Sequence, residues 1–225
     1  NTSARILYVD YSSAFNTVKP SLMYHKLCDL SVTPQLIRWV VNFLLDRTQF
    51  VSLGQSGCVS NSLVINTGSP QGCVLSPSLY TLYTNDCRTQ SENTKLVKFA
   101  DDSALLGLIK DDDDTEYQTE ISRLTQWCTA NNLDMNIGKT KEMLCDYRKK
   151  STPPPLVEID GREVERVDEY KYLGTLITSD LSWTTHIDST IKKCHSRLYF
   201  LRKLRQFGVS QTILTMFYRA SIESI

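Results

Sequence analysis

The fold is decided by one stretch of sequence, KLVKFADDSALLGLI, at residues 95–109. Strand-forming residues on both sides of Asp101 and Asp102 predict two strands, residues 95–100 and 103–109, joined in a hairpin whose tip carries both carboxylates. Because Asp is also common in ordinary solvated turns, this pair alone does not indicate catalysis.

A second strand-forming run, residues 5–9, ends at Asp10. If this strand lies beside the hairpin, Asp10 joins Asp101 and Asp102. Clustered carboxylates repel one another unless cations lie among them, and hard oxygen ligands suit Mg²⁺. Two such ions, about 3.5–4 Å apart, stabilise the attacking and leaving oxygens of a phosphoryl displacement. The spacing permits this site without establishing it.

The remaining pattern alternates between helical and extended segments, which predicts an α+β chain with a small antiparallel sheet and a helical C-terminal portion. Helices are predicted from Pro20, from Pro34 to about residue 46 with Thr33 as N-cap, from Ser76 to Cys87, from Thr115 and from Thr185. Strands are predicted at residues 48–53, 62–66, 144–147 and 172–177, with a hairpin turned by Asp160-Gly161.

The composition favours a folded intracellular protein. The chain has 225 residues, 41% of them hydrophobic, and its 25 basic and 25 acidic residues cancel, so any attraction to a polyanion must be local. Seven scattered cysteines without a C-x-x-C pair argue against disulfides or a zinc module. The most apolar stretch, residues 36–45, is too short for a membrane span.

Two other features receive no functional role. Residues 111–116 form an acidic run, which we interpret as a solvated loop and helix start. The three histidines, His25, His186 and His195, are isolated from any cluster of metal ligands.

Five short motifs follow one another along the chain. They are Val9-Asp10-Tyr11-Ser12-Ser13-Ala14-Phe15, Ser69-Pro70-Gln71-Gly72, Phe99-Ala100-Asp101-Asp102, Asn136 with Lys139-Thr140-Lys141, and Tyr170-Lys171-Tyr172-Leu173-Gly174. In wording and order they resemble motifs A to E of the reverse transcriptases of non-LTR, LINE-type retrotransposons, with jockey-like animal elements nearest. Any one motif is a weak signal, but the resemblance covers nearly the whole chain.

The resemblance implies a right-hand polymerase palm with an antiparallel sheet and packed helices, followed by part of a helical thumb. It assigns residues 1–150 to the palm, 151–184 to the primer-grip hairpin region of motif E and 185–225 to the thumb. We expect the fingers and an endonuclease domain to be absent from this chain, and the chain alone to be inactive.

The implied activity is RNA-directed DNA synthesis, with an RNA template, a DNA primer and dNTPs as partners, no membrane, and an unknown oligomeric state. By resemblance, Asp10 and Asp101 are the principal ligands of two Mg²⁺ ions, which Mn²⁺ can replace. Asp102 is a further carboxylate, and the backbone carbonyl of Tyr11 adds an oxygen. The expected location is the cytoplasm, the nucleus or both.

The resemblance also assigns nucleotide contacts. Phe15 occupies the position of the aromatic gate that excludes a ribose 2′-hydroxyl, and the alternative is a core aromatic. Gln71 and Gly72 contact the incoming nucleotide, or form only a turn. Lys139 protonates the leaving pyrophosphate, or belongs to a solvated basic face with Lys141 and Lys149.

Motif E and the C-terminal helix are assigned to the primer and template. Residues 170–174 form a hairpin that presses on the primer end, with Tyr172, Leu173 and Gly174 as the contact residues. The basic helix bearing Lys192, Lys193 and Arg197 follows the duplex backbone through salt-sensitive phosphate contacts, and the alternative is an ordinary surface helix.

The chain departs from the family pattern at Asn16, where many relatives have Asp after the aromatic residue. That carboxylate is not a metal ligand, so activity is not excluded. The competing hypothesis is a catalytically inactive or domesticated remnant that binds nucleic acid. An RNA-dependent RNA polymerase shares the palm, but a bulky Phe15 argues against ribonucleotide substrates.

Overall fold

The computed structural model describes residues 2–54, 57–148 and 152–225. The helices are α1 (Pro20–Asp29), α2 (Pro34–Leu44), α3 (Leu75–Tyr83), α4 (Thr115–Ala130), α5 (Thr184–Gln206) and α6 (Gln211–Tyr218). The strands are β1 (Thr2–Val9), β2 (Arg47–Gln49), β3 (Ser52–Leu53), β4 (Cys58–Val59), β5 (Leu63–Ile65), β6 (Thr94–Phe99), β7 (Asp102–Lys110), β8 (Lys141–Cys145), β9 (Glu158–Ile159), β10 (Arg162–Glu163), β11 (Glu165–Arg166), β12 (Glu169–Tyr172) and β13 (Thr175–Thr178). This mixture confirms the predicted α+β class.

The chain divides into two compact units, Asn1–Val167 and Asp168–Ile225. The first contains a five-stranded sheet in the order β11-β8-β1-β7-β6, in which every neighbouring pair is antiparallel except β11 with β8. The central strand β1 pairs with β7 on one side and β8 on the other. The predicted first strand and the hairpin of Asp101 and Asp102 are therefore direct neighbours.

Helix α4 packs on one face of this sheet. Leu7 of β1 and Leu105 of β7 belong to one buried core with Ile121 and Leu124 of the helix, as alternation along the strands and helical spacing require. Gly107 permits the approach, because a Cβ at this position would lie 2.4 Å from the ring of Tyr117.

A buried ionic cluster joins three strands of the sheet. Arg5 of β1 is fully buried and pairs with Glu142 of β8 at 2.6 Å and with Asp114. Glu142 also accepts from Arg166 of β11 at 2.8 Å. Buried charges are tolerated only when they are paired in this way.

The segment between α2 and α3 is an interrupted hairpin, in which β2 pairs with β5 and β3 pairs with β4. The strand predicted at residues 48–53 is divided into β2 and β3, and the strand predicted at residues 62–66 corresponds to β5, whereas β4 was not predicted. Gly54 and Gly57 favour a turn between the two arms, but residues 55 and 56 lie outside the described part of the chain.

One palm strand begins earlier than predicted. The sequence pattern placed it at residues 144–147, whereas β8 covers Lys141–Cys145. Pairing with β1 explains the shift, because Tyr8 lies opposite Lys141 and Ala4 lies opposite Cys145. A neighbour distant in sequence therefore sets the strand bounds.

The second unit contains the β12–β13 hairpin and the helices α5 and α6, followed by a π-helical turn, Arg219–Glu223. The prediction of one strand at residues 172–177 was wrong. Leu173 and Gly174 have φ values of 48° and 86°, so the chain reverses there in a two-residue turn. Of the helices in the described residues, none has the length and apolar character needed to cross a membrane.

Candidate active site

The carboxylates of Asp10, Asp101 and Asp102 lie at the same end of the sheet, where β1 ends and the neighbouring strand β7 begins. Val9 and Ser103 are partners in the β1–β7 register, so Asp10, which follows Val9, and Asp102, which precedes Ser103, lie side by side. Partial desolvation of its carboxylate, and then the charges of Asp101 and Asp10, raise the pKa of Asp102. The pairing of β1 with the hairpin thus brings the carboxylates into electrostatic contact.

The donor set fits a divalent ion that is shared with a ligand. Among the described residues, no group of three or more His, Cys, Asp and Glu side chains forms a preformed metal cage. Mg²⁺ is commonly held by only one or two carboxylates together with substrate phosphates and water. Asp101 and Asp102 are exposed and Asp10 is half-buried, so their oxygens are available to such an ion.

The backbone of Asp10 is held by the segment of residues 134–140. Its carbonyl oxygen accepts a 2.8 Å hydrogen bond from the N–H of Asn136, and its own N–H donates to Thr140 Oγ1 at 3.3 Å. Ser12 N–H donates to Asp134 O at 2.8 Å. Asn136 and Thr140 belong to the fourth sequence motif, but the sequence alone predicts no contact between either residue and Asp10.

The main chain and the side chain of Tyr11 make different contacts. Its main chain forms an antiparallel β-bridge with Met135, in which the two hydrogen bonds are made by the neighbouring residues Asp10 and Ser12. The carbonyl of Tyr11 therefore takes no part in the bridge. The hydroxyl of Tyr11 hydrogen-bonds the side chain of Ser103, while burial raises its pKa well above the usual value. The side chain therefore joins the segment after Asp10 to β7, the strand that begins at Asp102.

Phe15 lies in a short 3-10 turn, Ala14–Asn16. Its ring centroid is 5.0 Å from that of Tyr80 in α3, at an interplanar angle of 40°. The ring is half-buried and packs against the core, whereas Asn16 is exposed. One side of Phe15 therefore has the packing role that the alternative interpretation required, and part of the residue remains open to solvent.

The motif that contains Gln71 and Gly72 lies beside this aromatic turn. Ser69 N–H donates to the carbonyl oxygen of Phe15 at 2.7 Å. Gln71 is exposed and lines a cleft of about 890 Å³ together with Asn16. Gly72 has φ +76° and open space around it, so a left-handed backbone requires glycine there.

The lysines near Asp10 differ in their contacts. Lys139 is exposed, and its backbone N–H donates to Asn136 O at 3.1 Å. Lys141 Nζ pairs with Glu165 at 2.6 Å and donates to Gly138 O at 2.8 Å, so Lys141 does not contribute an unpaired charge to a basic face. Lys149 lies outside the described residues.

The remaining predicted site residues lie in the second unit. Tyr172 ends β12, and Leu173 and Gly174 form the hairpin turn. Lys192 and Lys193 are exposed on α5. Arg197 differs from them, because it is partly buried and its guanidinium donates to the carbonyl oxygen of Ser221.

Comparison with protein families gives two matches. Residues 1–177 match the family described as reverse transcriptase (RNA-dependent DNA polymerase). Residues 183–224 match the N-terminal family of alkylated DNA repair protein alkB homolog 8. The first match includes both strands and every carboxylate of the site, and reverse transcriptases as a family use divalent metal ions.

Individual relatives agree with the first match. The chain is 30% identical over 203 residues to the RNA-directed DNA polymerase from mobile element jockey of Drosophila funebris, covering 85% of this chain and 21% of the relative. It is 26% identical over 207 residues to the probable RNA-directed DNA polymerase from transposon BS of Drosophila melanogaster, covering 88% and 22%. The chain thus spans about a fifth of the length of these curated relatives.

Among solved structures, the chain resembles telomerase from Candida tropicalis in complex with a fragment of telomeric RNA. The TM-score is 0.56 at 10% identity, and the match covers 80% of this chain and 29% of the telomerase. At this identity the likeness shows the fold, a polymerase palm-like α+β arrangement. With a family match over most of its length and relatives encoded by mobile elements, the chain belongs to the reverse transcriptase family, within the non-LTR retrotransposon group.

Proposed function

We propose that this chain is the catalytic palm and adjoining thumb part of an RNA-directed DNA polymerase, which adds dNTPs to a primer 3′-hydroxyl with two Mg²⁺ ions. The observation that carries the proposal is the pairing of Val9 with Ser103, which puts Asp10 beside the Asp101-Asp102 pair. Mn²⁺, with similar oxygen ligation, is expected to replace Mg²⁺.

In this mechanism the chain holds and orients the reactants. Asp10 and Asp101 are the principal metal ligands, and Asp102 is a further carboxylate. When bound, divalent ions lower the pKa of the primer hydroxyl and neutralise the triphosphate. The exposed ammonium of Lys139 donates a proton to the departing pyrophosphate. Catalysis is therefore mainly positioning and electrostatic stabilisation.

The exposed side of Phe15 and the neighbouring loop that contains Gln71 and Gly72 select the nucleotide. The aromatic ring, fixed against Tyr80 at 5.0 Å, excludes a 2′-hydroxyl, so deoxynucleotides are preferred. Gln71 offers an amide to the nucleotide, and Gly72 lets the backbone approach it.

An RNA template and a DNA primer are the proposed macromolecular partners. The telomerase relative was solved with RNA, which supports template binding by this fold. Within the second unit, the Leu173-Gly174 turn is proposed to contact the primer end, and exposed Lys192 and Lys193 to contact phosphates. The proposal includes an intracellular location where element RNA is available.

Binding of Mn²⁺, followed by electron paramagnetic resonance with and without a dNTP, tests the metal site. We expect Asp101→Asn to weaken binding at least about tenfold, because a shared cation loses a direct ligand. The matched control is Asp111→Asn, which removes a carboxylate from the acidic run after the far end of β7. Equal affinity in both variants contradicts the assignment and favours a remnant that binds nucleic acid without catalysis.

A further inference from the structure

The loop of residues 67–69 lies directly against the turn that carries Phe15. Gly68 N–H donates to Val18 O at 2.7 Å, and Ser69 N–H donates to Phe15 O at 2.7 Å. These two bonds hold the backbone on both sides of Asn16. The position of the Phe15 ring is therefore fixed through its main chain by a loop that follows it by some fifty residues.

The fit at Gly68 leaves no room for a side chain. A Cβ at this position would lie 2.7 Å from Asn16 Cα and 2.9 Å from the carbonyl oxygen of Phe15. The obstructing atoms are backbone, which cannot rotate away as the end of a flexible side chain can. Any residue larger than glycine must displace either the loop or the turn that carries Phe15.

Arg47 holds the same loop from the other side. Its guanidinium donates to Thr67 O at 2.6 Å, to Gly68 O at 2.7 Å and to Leu44 O at 3.2 Å. Burial lowers the pKa of Arg47, which fits a guanidinium turned toward protein carbonyls. Arg47 thus links the end of α2 to the loop that contacts Phe15.

We infer that Gly68 and Arg47 are positioning residues that determine sugar discrimination, by fixing the height of the Phe15 gate above the nucleotide site without touching the nucleotide. The inference rests on the proposed function, because discrimination exists only if Phe15 meets a nucleotide sugar. The ring itself packs on Tyr80, so the loop holds the main chain of Phe15 while the α3 helix supports its ring.

The sharpest variant is Gly68→Ala, with Gly161→Ala as its control. Gly68 and Gly161 have nearly equal backbone angles, φ +74° and φ +72°, so the substitutions impose similar local strain. A methyl group added at Gly161 would meet no heavy atom within 4 Å, and Gly161 turns the remote β9–β10 hairpin. Comparison of Gly68→Ala with Gly161→Ala therefore separates the effect of contact with the turn that carries Phe15 from the effect of backbone strain.

The experiment is primer extension on an RNA template, with this chain alone and with the chain fused behind the preceding segment of the jockey polymerase. The ratio of kcat/KM for dGTP to that for GTP is the readout. We expect Gly68→Ala to lower this ratio about tenfold, since a displacement near 1 Å is costly in a positioned site. Phe15→Ala sets the value for complete loss of the gate, and Gly161→Ala should keep the wild-type ratio.

Variants of Arg47 test the inference independently of Gly68 in the same primer-extension experiment. Arg47→Met keeps the side-chain stem but removes all donors, and it should lower the ratio in the same direction as Gly68→Ala. Arg47→Lys should restore part of the ratio, since an ammonium can still donate to a loop carbonyl. Arg88→Met is the control, because Arg88 is exposed and donates, within the described residues, to the carbonyl oxygen of Asn85.

The outcomes distinguish the inference from the proposed function. If Asp101→Asn extends primers as well as wild type does, the polymerase assignment fails. If wild type is active but Gly68→Ala and Arg47→Met keep the wild-type ratio, or change it no more than Gly161→Ala and Arg88→Met, the inference alone is wrong. A loss of rate with an unchanged ratio shows a purely structural role and also contradicts the inference.

Discussion

The N–H of Asp10 donates to the buried side-chain oxygen of Thr140 at 3.3 Å. This bond, with the 2.8 Å bond from Asn136 N–H to Asp10 O, attaches the proposed metal ligand to the loop that precedes β8. The carboxylate is therefore positioned from two directions, by its strand and by this loop.

Removing the Thr140 hydroxyl should weaken metal binding. Thr140→Val keeps the shape of the side chain but leaves the N–H of Asp10 without its acceptor, a cost of about 1 kcal/mol or roughly fivefold in Mn²⁺ affinity. Thr119→Val is the control, since Thr119 is exposed on α4 and its hydroxyl donates to Thr115 O of the same helix. Mn²⁺ titration measures both, and an unchanged affinity in Thr140→Val contradicts the positioning role.

Two buried tyrosines of α3 should respond oppositely to loss of the hydroxyl. Tyr83 OH donates to Asn131 O at 2.7 Å, whereas Tyr80 OH has no hydrogen-bond partner among the described residues. Tyr83→Phe should lower the free energy of unfolding by about 1–2 kcal/mol, and Tyr80→Phe should leave it unchanged or raise it. Urea denaturation compares them; equal losses would show that Tyr80 has a partner in solution.

The buried ionic cluster should be costly to break. Glu142 is fully buried between Arg5 and Arg166, so Glu142→Gln leaves buried positive charge uncompensated and should cost about 3–5 kcal/mol. Glu165→Gln is the control, because the Glu165 side chain that pairs with Lys141 is largely exposed and the pair should contribute less than about 1 kcal/mol. Similar stability of the two variants would mean that water reaches the cluster.

Cysteine reactivity should report the integrity of the core. Burial raises the pKa of Cys87 to about 11 and that of Cys128 to about 12, so at about pH 8 neither is appreciably a thiolate. Cys28 and Cys58 are exposed and should be alkylated first. Mass spectrometry locates the label, and urea should abolish the difference. Early labelling of Cys87 or Cys128 in the native protein would contradict the described packing.

Local sequence signals were sufficient to predict those elements whose conformation depends mainly on their own residues. The hairpin of Asp101-Asp102 follows from alternation around a polar pair, and the Asp160-Gly161 turn has φ values of 50° and 72°, as such a dipeptide favours. The five sequence motifs then indicated the family. The sequence spacing did not establish that Asp10 lies near the hairpin, because this depends on the pairing of β1 with β7.

What could not be predicted depends on contacts between distant segments. The start of β8 is set by its pairing with β1, and Gly68 is required by the backbone of Asn16. The sequence pattern predicted one strand through Leu173, because a Leu with φ 48° is uncommon, whereas the resemblance to motif E implied the hairpin that is found there. Such features depend on tertiary structure, where local propensity is overridden.

RNA-templated primer extension is the decisive measurement for the polymerase site. The chain, alone and fused behind the preceding segment of the jockey polymerase, is given an RNA template, a DNA primer, dNTPs and Mg²⁺, and wild type is compared with Asp101→Asn. We predict magnesium-dependent extension by the fused wild-type protein and a loss of at least about hundredfold in Asp101→Asn, because positioned charge contributes most of this catalysis. Equal extension by the two proteins would show that Asp101 is no part of a polymerase site.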